Sequence, residues 1–188
     1  MEEKIKNILK ESIAVKEKLL KESIADIKSI AELCSKTIQN GGKLIFCGNG
    51  GSAADSQHLA AELVVRFKKN RKSLPAIALT TNTSILTAIG NDFGFDMVFS
   101  RQLESQANKN DLLFAISTSG KSKNISEVVK KAKEIGMKTI AFTGENGKEF
   151  ARACHLSFIA PSSDTARIQE SHICVGHIIC EIIEDTLK

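Results

Sequence analysis

His58 and Glu62 stand four residues apart in the stretch SAADSQHLAAEL, which reads as a helix. That spacing puts both side chains on one helical face, with Cβ atoms about 5–6 Å apart. An imidazole and a carboxylate so placed can share a divalent metal or work as an acid/base couple. H-x-x-x-E is common by chance, and a surface His–Glu pair has the same spacing. Position gives this one weight: it lies about 9 Å along the helix from the glycine-rich turn Asn49-Gly50-Gly51-Ser52, at 1.5 Å per residue. A second polar set, Gln169, His172 and His177, interrupts an otherwise apolar C-terminal stretch. A lone His there would be a satisfied core residue, whereas several polar groups beside an apolar stripe make a site. Gln169 and His177 are eight residues apart, about 12 Å along a straight helix and about 80° around it. One small site holds both only if long side chains converge, the helix bends, or two copies of the chain contribute.

Ser117, Thr118, Ser119 and Ser122 surround a glycine in STSGKS (117–122), between an apolar run and a helical stretch. Hydroxyls, close backbone approach and helix N–H groups together make a cradle for an anion, and the absence of a carboxylate suits phosphate. The same residues would also serve as an ordinary turn with Ser122 as N-cap. Asn91 and Asp92, in NDFGFD, read as a loop before a helix, where they either cap that helix or reach a sugar hydroxyl or partner site. Gly48, Gly50 and Ala53 satisfy the dinucleotide fingerprint G-x-G-x-x-[GA]. That reading also requires an acid at the end of the second strand, where this chain has Leu79-Thr80-Thr81-Asn82. The first loop therefore reads as a polar wall for a small hydroxylated ligand, with no nucleotide cofactor.

The elements that must position these residues are legible in the apolar pattern. Isolated apolar residues at three- and four-residue steps from residue 3 to about 39 predict a long amphipathic helix or a helical pair, ended by Asn40-Gly41-Gly42. Its stripe suits either packing on the domain's own body or a helix-mediated oligomer. Short, fully apolar runs follow at 43–47, 76–79, 112–116, 139–142 and 156–160. Strands of that kind fit a sheet covered on both faces. Helices are expected at about 52–67, 83–89, 95–108, 122–135, 146–153 and 165–187. The alternation implies a three-layer α/β/α sandwich on a five-stranded parallel sheet with right-handed crossovers. Ligands of such sheets sit at the carboxyl ends of the strands, so the loops after Cys47, Leu79, Ile116 and Phe142 are the ones that matter.

The 188 residues suit one domain with a sizeable core. A net charge of +4 spread along the chain, no Trp and no Tyr give no support to nucleic-acid binding. KKNRK (68–72) is the one basic cluster and reads as a solvated helix end. Five cysteines without a C-x-x-C read as thiols of a reducing compartment, mostly buried. The N-terminal stretch lacks the apolar core of a signal peptide, and no run approaches the roughly 18 apolar residues that span a bilayer. The expectation is a soluble, cytoplasmic protein with no membrane partner.

Taken together, CGNGGS with H-x-x-x-E, GNDFGF, STSG-x-S and RIQE-x-H-x-x-x-x-H, in this order over almost the whole chain, resemble the phosphoheptose isomerases, a family of sugar isomerase (SIS) domain proteins. Any one motif is weak, and four in order are highly specific. The resemblance implies the SIS fold, flavodoxin- or Rossmann-like, over residues 1–188, with residues 1–40 as a helical oligomerisation segment. It implies conversion of sedoheptulose 7-phosphate to D-glycero-D-manno-heptose 7-phosphate, the first step toward the heptose precursors of lipopolysaccharide and some capsules. It also implies a homotetramer with sites at subunit interfaces and one zinc per subunit. Carried onto this sequence, it implies substrate contacts from Asn49, Gly50, Gly51, Asn91, Asp92, Ser117, Thr118, Ser119, Ser122 and Gln169. Zinc would be held by His58, Glu62, Gln169 and His177, with Glu62 and His177 as the acid/base pair. Some members carry an acid just before the Arg of RIQE, where this chain has Ala166, and that puts any role for such an acid in doubt here.

Two other classes compete. Relatives that bind a replication initiator share CGNG, STxGxS and ARIQE but lack the residues matching Glu62 and His177, both present here. A nicotinamide-dependent oxidoreductase is disfavoured by the missing acid near Asn82.

Overall fold

The protein, described here by a computed structural model over residues 1–187, is built on one parallel sheet covered on both faces by helices. The strands are β1 (Leu44–Gly48), β2 (Ala76–Ala78), β3 (Leu112–Ile116), β4 (Lys138–Gly144) and β5 (Leu156–Ala160), in the order β2-β1-β3-β4-β5. β1 and β3 are buried at every residue, which is why they read as unbroken apolar runs, whereas β5 is an edge strand with Leu156, Ser157 and Ile159 half-buried. The chain reverses its direction of travel across the sheet between β1 and β3. This switch point is where open α/β sheets leave a crevice for ligand.

The amphipathic N-terminal segment is a helical pair, α1 (Glu2–Glu22) and α2 (Ile24–Gln39), parted at Ser23. α2 buries Ile27, Ile30, Ala31 and Cys34. α1 buries only Val15 and Leu19 and leaves Ile5, Ile8, Leu9, Ile13 and Leu20 exposed. The remaining helices are α3 (Gly51–Val64), α4 (Thr83–Asp92), α5 (Ser100–Gln106), α6 (Lys123–Ile135), α7 (Lys148–Arg152) and α8 (Thr165–Thr186). Side chains from α2, α3 and α8 meet Leu44, Phe46, Phe114, Phe142 and Phe158 on one face of the sheet. Those of α5 and α6 meet Ile45, Cys47, Leu113 and Ala141 on the other. α1 is tied to α8 by polar links: Ser12 Oγ donates to Glu170 (2.7 Å), Lys16 Nζ to the Glu170 carbonyl (2.8 Å) and Arg167 to the Ile8 carbonyl (2.8 Å).

Three local readings need correction. Asn91 and Asp92 are the last residues of α4, not a loop before a helix: the Asn82 side chain caps Ile85 N–H (3.0 Å) and the helix runs through Gly90. The helix expected over 95–108 is a short 3₁₀ turn (95–97) followed by α5. KKNRK is not a solvated helix end, since α3 stops at Val64 and the chain then winds around the buried carboxylate of Glu184. That carboxylate accepts from the Phe67, Lys68 and Lys69 N–H groups at 2.8–3.0 Å and pairs with Arg71 Nε at 2.9 Å. The cluster's charge hid a turn whose backbone donors needed an anion. Among the described residues, no helix is long and apolar enough to cross a membrane.

Candidate active site

Residue types at the end of β1 dictate the first wall. Gly50 adopts φ +55°, a conformation disfavoured for residues with a Cβ, and it turns the chain directly into α3. A Cβ on Gly51 would lie 2.6 Å from Gln169 Nε2, so the start of α3 lies against the first turns of α8. Farther along, a Cβ on Gly176 would lie 2.6 Å from Leu59 Cδ2. The two contacts show α3 and α8 running in the same direction at close approach.

That parallel approach brings His177 to His58. Their Nε2 atoms are 2.8 Å apart, across 119 residues of sequence, and Glu62 Oε1 is 3.3 Å from His58 Nε2. Such a pair of nitrogens needs one tautomer to donate and the other to accept. His58 is exposed, while Glu62 and His177 are half-buried. One ligand atom from each of the three lies within 4.8 Å of the others, so the group could hold a metal ion. Partial burial holds the His177 imidazole below its ordinary range, His58 lowers it further, and Glu62 opposes both. The Phe67 ring lies beside His177, with centroids 5.3 Å apart.

Gln169 does not join this trio within one chain. α8 is a continuous helix from Thr165 to Thr186, and Gln169 sits at its N-terminal end beside Gly51. The eight-residue step leaves it about 12 Å from His177 along the axis. His172 is also set apart: it is buried among Phe142 and Phe158, and its Nε2 lies 3.2 Å from the Thr143 carbonyl. Burial pushes its imidazole down to about 4, the behaviour of a neutral core histidine. Asn91 and Asp92 are exposed and hydrogen-bonded to one another (2.8 Å). Among the described residues, no side-chain hydrogen bond joins either to the trio or to the loops after β1 and β3.

STSGKS follows β3 and enters α6. Ser117 is buried, and its hydroxyl accepts from the Gly120 N–H (3.1 Å) and meets the Ser122 hydroxyl (3.2 Å). Ser122 is the N-cap residue of α6, but its side chain makes no capping bond to the helix. Its hydroxyl faces the loop instead, as an anion cradle requires. Thr118 is held by its carbonyl, which accepts from the Gly144 N–H at 3.0 Å. Ser119 is exposed, with Oγ accepting from the Lys121 N–H (3.2 Å). The free N–H groups of the first turn of α6 add the positive end of its dipole.

Two site residues escaped the sequence reading. Asp55 lies one turn before His58 on α3, and its Oδ2 is buried without a hydrogen-bond partner. Burial raises its carboxyl above the usual carboxylate range, with His58 pulling the other way. The spacing Asp55, His58, Glu62 is the available signal, since i, i+3 and i+7 share a face. The second is Asn124, buried in the first turn of α6, whose side chain exchanges two hydrogen bonds with Asn49, each of 2.9 Å. Nothing local in the sequence marks it.

Known proteins resemble the chain over nearly its whole length. The SIS domain family model matches residues 8–144. The phosphoheptose isomerase of Clostridium acetobutylicum is 52% identical over 181 residues, covering 95% of this chain and 92% of its own. That of Aquifex aeolicus is 50% identical over 185 residues, covering 98% and 97%. Among solved structures, a phosphoheptose isomerase from Neisseria gonorrhoeae superposes with a TM-score of 0.92 at 43% identity, covering 98% of each chain. One from Francisella tularensis gives 0.94 at 35% identity, covering 97% of each.

Proposed function

The chain belongs to the phosphoheptose isomerase family of SIS-domain proteins, and from that membership we propose that it converts sedoheptulose 7-phosphate to D-glycero-D-manno-heptose 7-phosphate. The observation that carries the reading is the meeting of His58, Glu62 and His177 on α3 and α8, beside an anion cradle at the sheet's switch point. Ketose-to-aldose conversion moves a proton between C1 and C2 through an enediol and exchanges a proton between the two oxygens. Glu62 is the carbon base, and His177, whose pKa partial burial lowers, serves the oxygens. Ser117, Thr118, Ser119 and Ser122 bind the phosphate, so that its binding energy positions the distant reacting carbons. Asn49, Gly50, Gly51, Asn91, Asp92 and Gln169 are assigned to the sugar.

Two imidazole nitrogens and a carboxylate oxygen this close form a donor set suited to zinc. His58, Glu62 and His177 would hold it. When bound, zinc supplies a Lewis acid that polarises the substrate carbonyl and stabilises negative charge on the enediolate. Gln169, about 12 Å along α8 from His177, would join these three residues from another copy of the chain. We assign a homotetramer, with residues 1–40 as its helical oligomerisation segment on a single SIS domain. The exposed apolar residues Ile5, Leu9, Ile13 and Leu20 on α1 support that assignment. Five free cysteines suit a cytoplasmic setting, where the product would feed lipopolysaccharide or capsule heptose.

The test is to incubate purified protein with sedoheptulose 7-phosphate and follow the heptose 7-phosphate by NMR, with and without chelator. Conversion that chelator abolishes and zinc restores is expected. No conversion even with added zinc overturns the assignment.

A further inference from the structure

Asn49 ends the loop from β1 at the point where the glycine turn begins. Asn124 lies on α6, immediately behind the anion cradle. Their amides face each other across 75 residues of sequence, each donating Nδ2–H to the other's Oδ1 at 2.9 Å. Asn and Gln carry a donor and an acceptor side by side in a rigid plane without any ionisable group, so this reciprocal pair forms whatever the pH. Asn124 is 3% exposed, and that burial makes the bonds costly to lose. The β1–β3 ladder, which otherwise joins these two loops, ends at Gly48 and Ile116. Beyond it the loops diverge, one toward α3 with His58 and Glu62, the other toward α6.

We propose that Asn124 is a positioning residue, acting through Asn49 as a strut that fixes the spacing between the phosphate-binding loop and the N-terminal end of α3. This rests on the isomerase reading of the same site. A substrate anchored by its phosphate at one end and attacked at C1 and C2 at the other needs that spacing held, because misplacement by about 1 Å costs up to a hundredfold in rate. The strut also orients Asn49, whose second amide hydrogen and second lone pair remain for substrate.

The test combines a double-mutant cycle with a readout that needs no turnover. Asn124→Ala is expected to lower kcat about tenfold to a hundredfold while KM changes by less than about threefold. Asn124→Asp, assayed above the pH at which its carboxyl titrates, matches Asn124 in size and accepts from the Asn49 amide but cannot donate. It sets a carboxylate oxygen against Asn49 Oδ1, is expected to fail in the same way, and carries the test should the alanine variant not fold. In the Asn49→Ala background, Asn124→Ala is expected to add no further loss. Additive losses, or a loss confined to KM, overturn the strut. Independently, inorganic phosphate is expected to slow amide hydrogen exchange at residues 50–54 in the wild-type protein but not in Asn124→Ala. Absence of that protection in the wild type, or its persistence in the variant, overturns the strut as well. A wild-type protein that shows the exchange coupling but no isomerisation keeps the strut and removes the isomerase reading.

Discussion

At the proposed phosphate end of the site, Ser117 is buried and its hydroxyl is engaged with both Gly120 and Ser122, and Asn49 and Asn124 lock the flanking loops together. At the proposed reacting end, His58 is exposed, Glu62 and His177 are only half-buried, and the three meet one another from two helices. The first end is finished within one chain because strand ends and a helix N-terminus supply its donors from backbone already fixed by the sheet. The second projects from the sides of two helices, where a side chain keeps its freedom until a ligand or another copy covers it. A prebuilt anchor and an open reacting end suit an enzyme that captures substrate by its phosphate and completes its chemical site afterwards.

The comparison is broken most directly at the reacting end. Glu62→Gln and His177→Gln are each expected to lower kcat by about 10²–10⁴-fold with an unchanged melting temperature. Near-wild-type turnover in either variant removes that residue from the mechanism.

The reacting end is braced from outside by the turn around Glu184, which carries Phe67 against His177. Glu184→Ala leaves a half-buried Arg71 and three backbone donors without their anion, and a loss of about 3–5 kcal/mol in urea unfolding is expected. Burial alone would raise the Glu184 carboxyl, but the three N–H donors and Arg71 outweigh it and hold the group at about 2. The folded state therefore binds its proton later than the unfolded chain does. Glu184's stabilisation is complete above about pH 4.5 and is lost as pH falls toward 2. His172, held at about 4 against an ordinary 6.5, works in the same direction over a higher window, because below pH 6.5 the unfolded chain takes up a proton that the core refuses. Acid unfolding followed by circular dichroism is expected to begin in the His172 window, and the Glu184→Ala variant is expected to lose the lower one. A variant with the wild-type profile below pH 4.5 would contradict the Glu184 account.

A smaller effect belongs to the phosphate end. Ser122→Ala removes one hydroxyl from a cradle that keeps its backbone donors, so a KM increase of about fivefold with kcat nearly unchanged is expected from steady-state kinetics. A kcat loss as large as that of Glu62→Gln would erase the distinction between anchor and reacting end. The smallest change within one chain is Leu9→Glu on the exposed face of α1, expected to cost about 0.5 kcal/mol or less in monomer stability. It is expected to lower the assembly state in sedimentation. An unchanged assembly would remove α1 as the oligomerisation face.

Much of this is legible in the sequence alone. The apolar runs at 112–116 and 156–160 are the observed β3 and β5, and the other three strands lie within a few residues of their expected limits. Strands buried on both faces must be continuously apolar, so they declare themselves. STSGKS stood out because its hydroxyls cluster in sequence. Asn91 and Asp92 do not lie in a loop before a helix, because the helix capped by Asn82 continues through them. KKNRK misled because its partner, Glu184, lies more than a hundred residues downstream.

By itself, the sequence determined the layered α/β architecture, the loops that face the ligand and the pairing of His58 with Glu62, since each depends on local periodicity or on neighbours within a turn of helix. Tertiary structure alone decided that β1 and β3 flank the crevice, that His177 meets His58, that Gln169 stands apart at Gly51, and that Asn124 braces Asn49. These are contacts between segments 68 or more residues apart, set by strand order and by how closely α3 and α8 approach, and no local spacing encodes either.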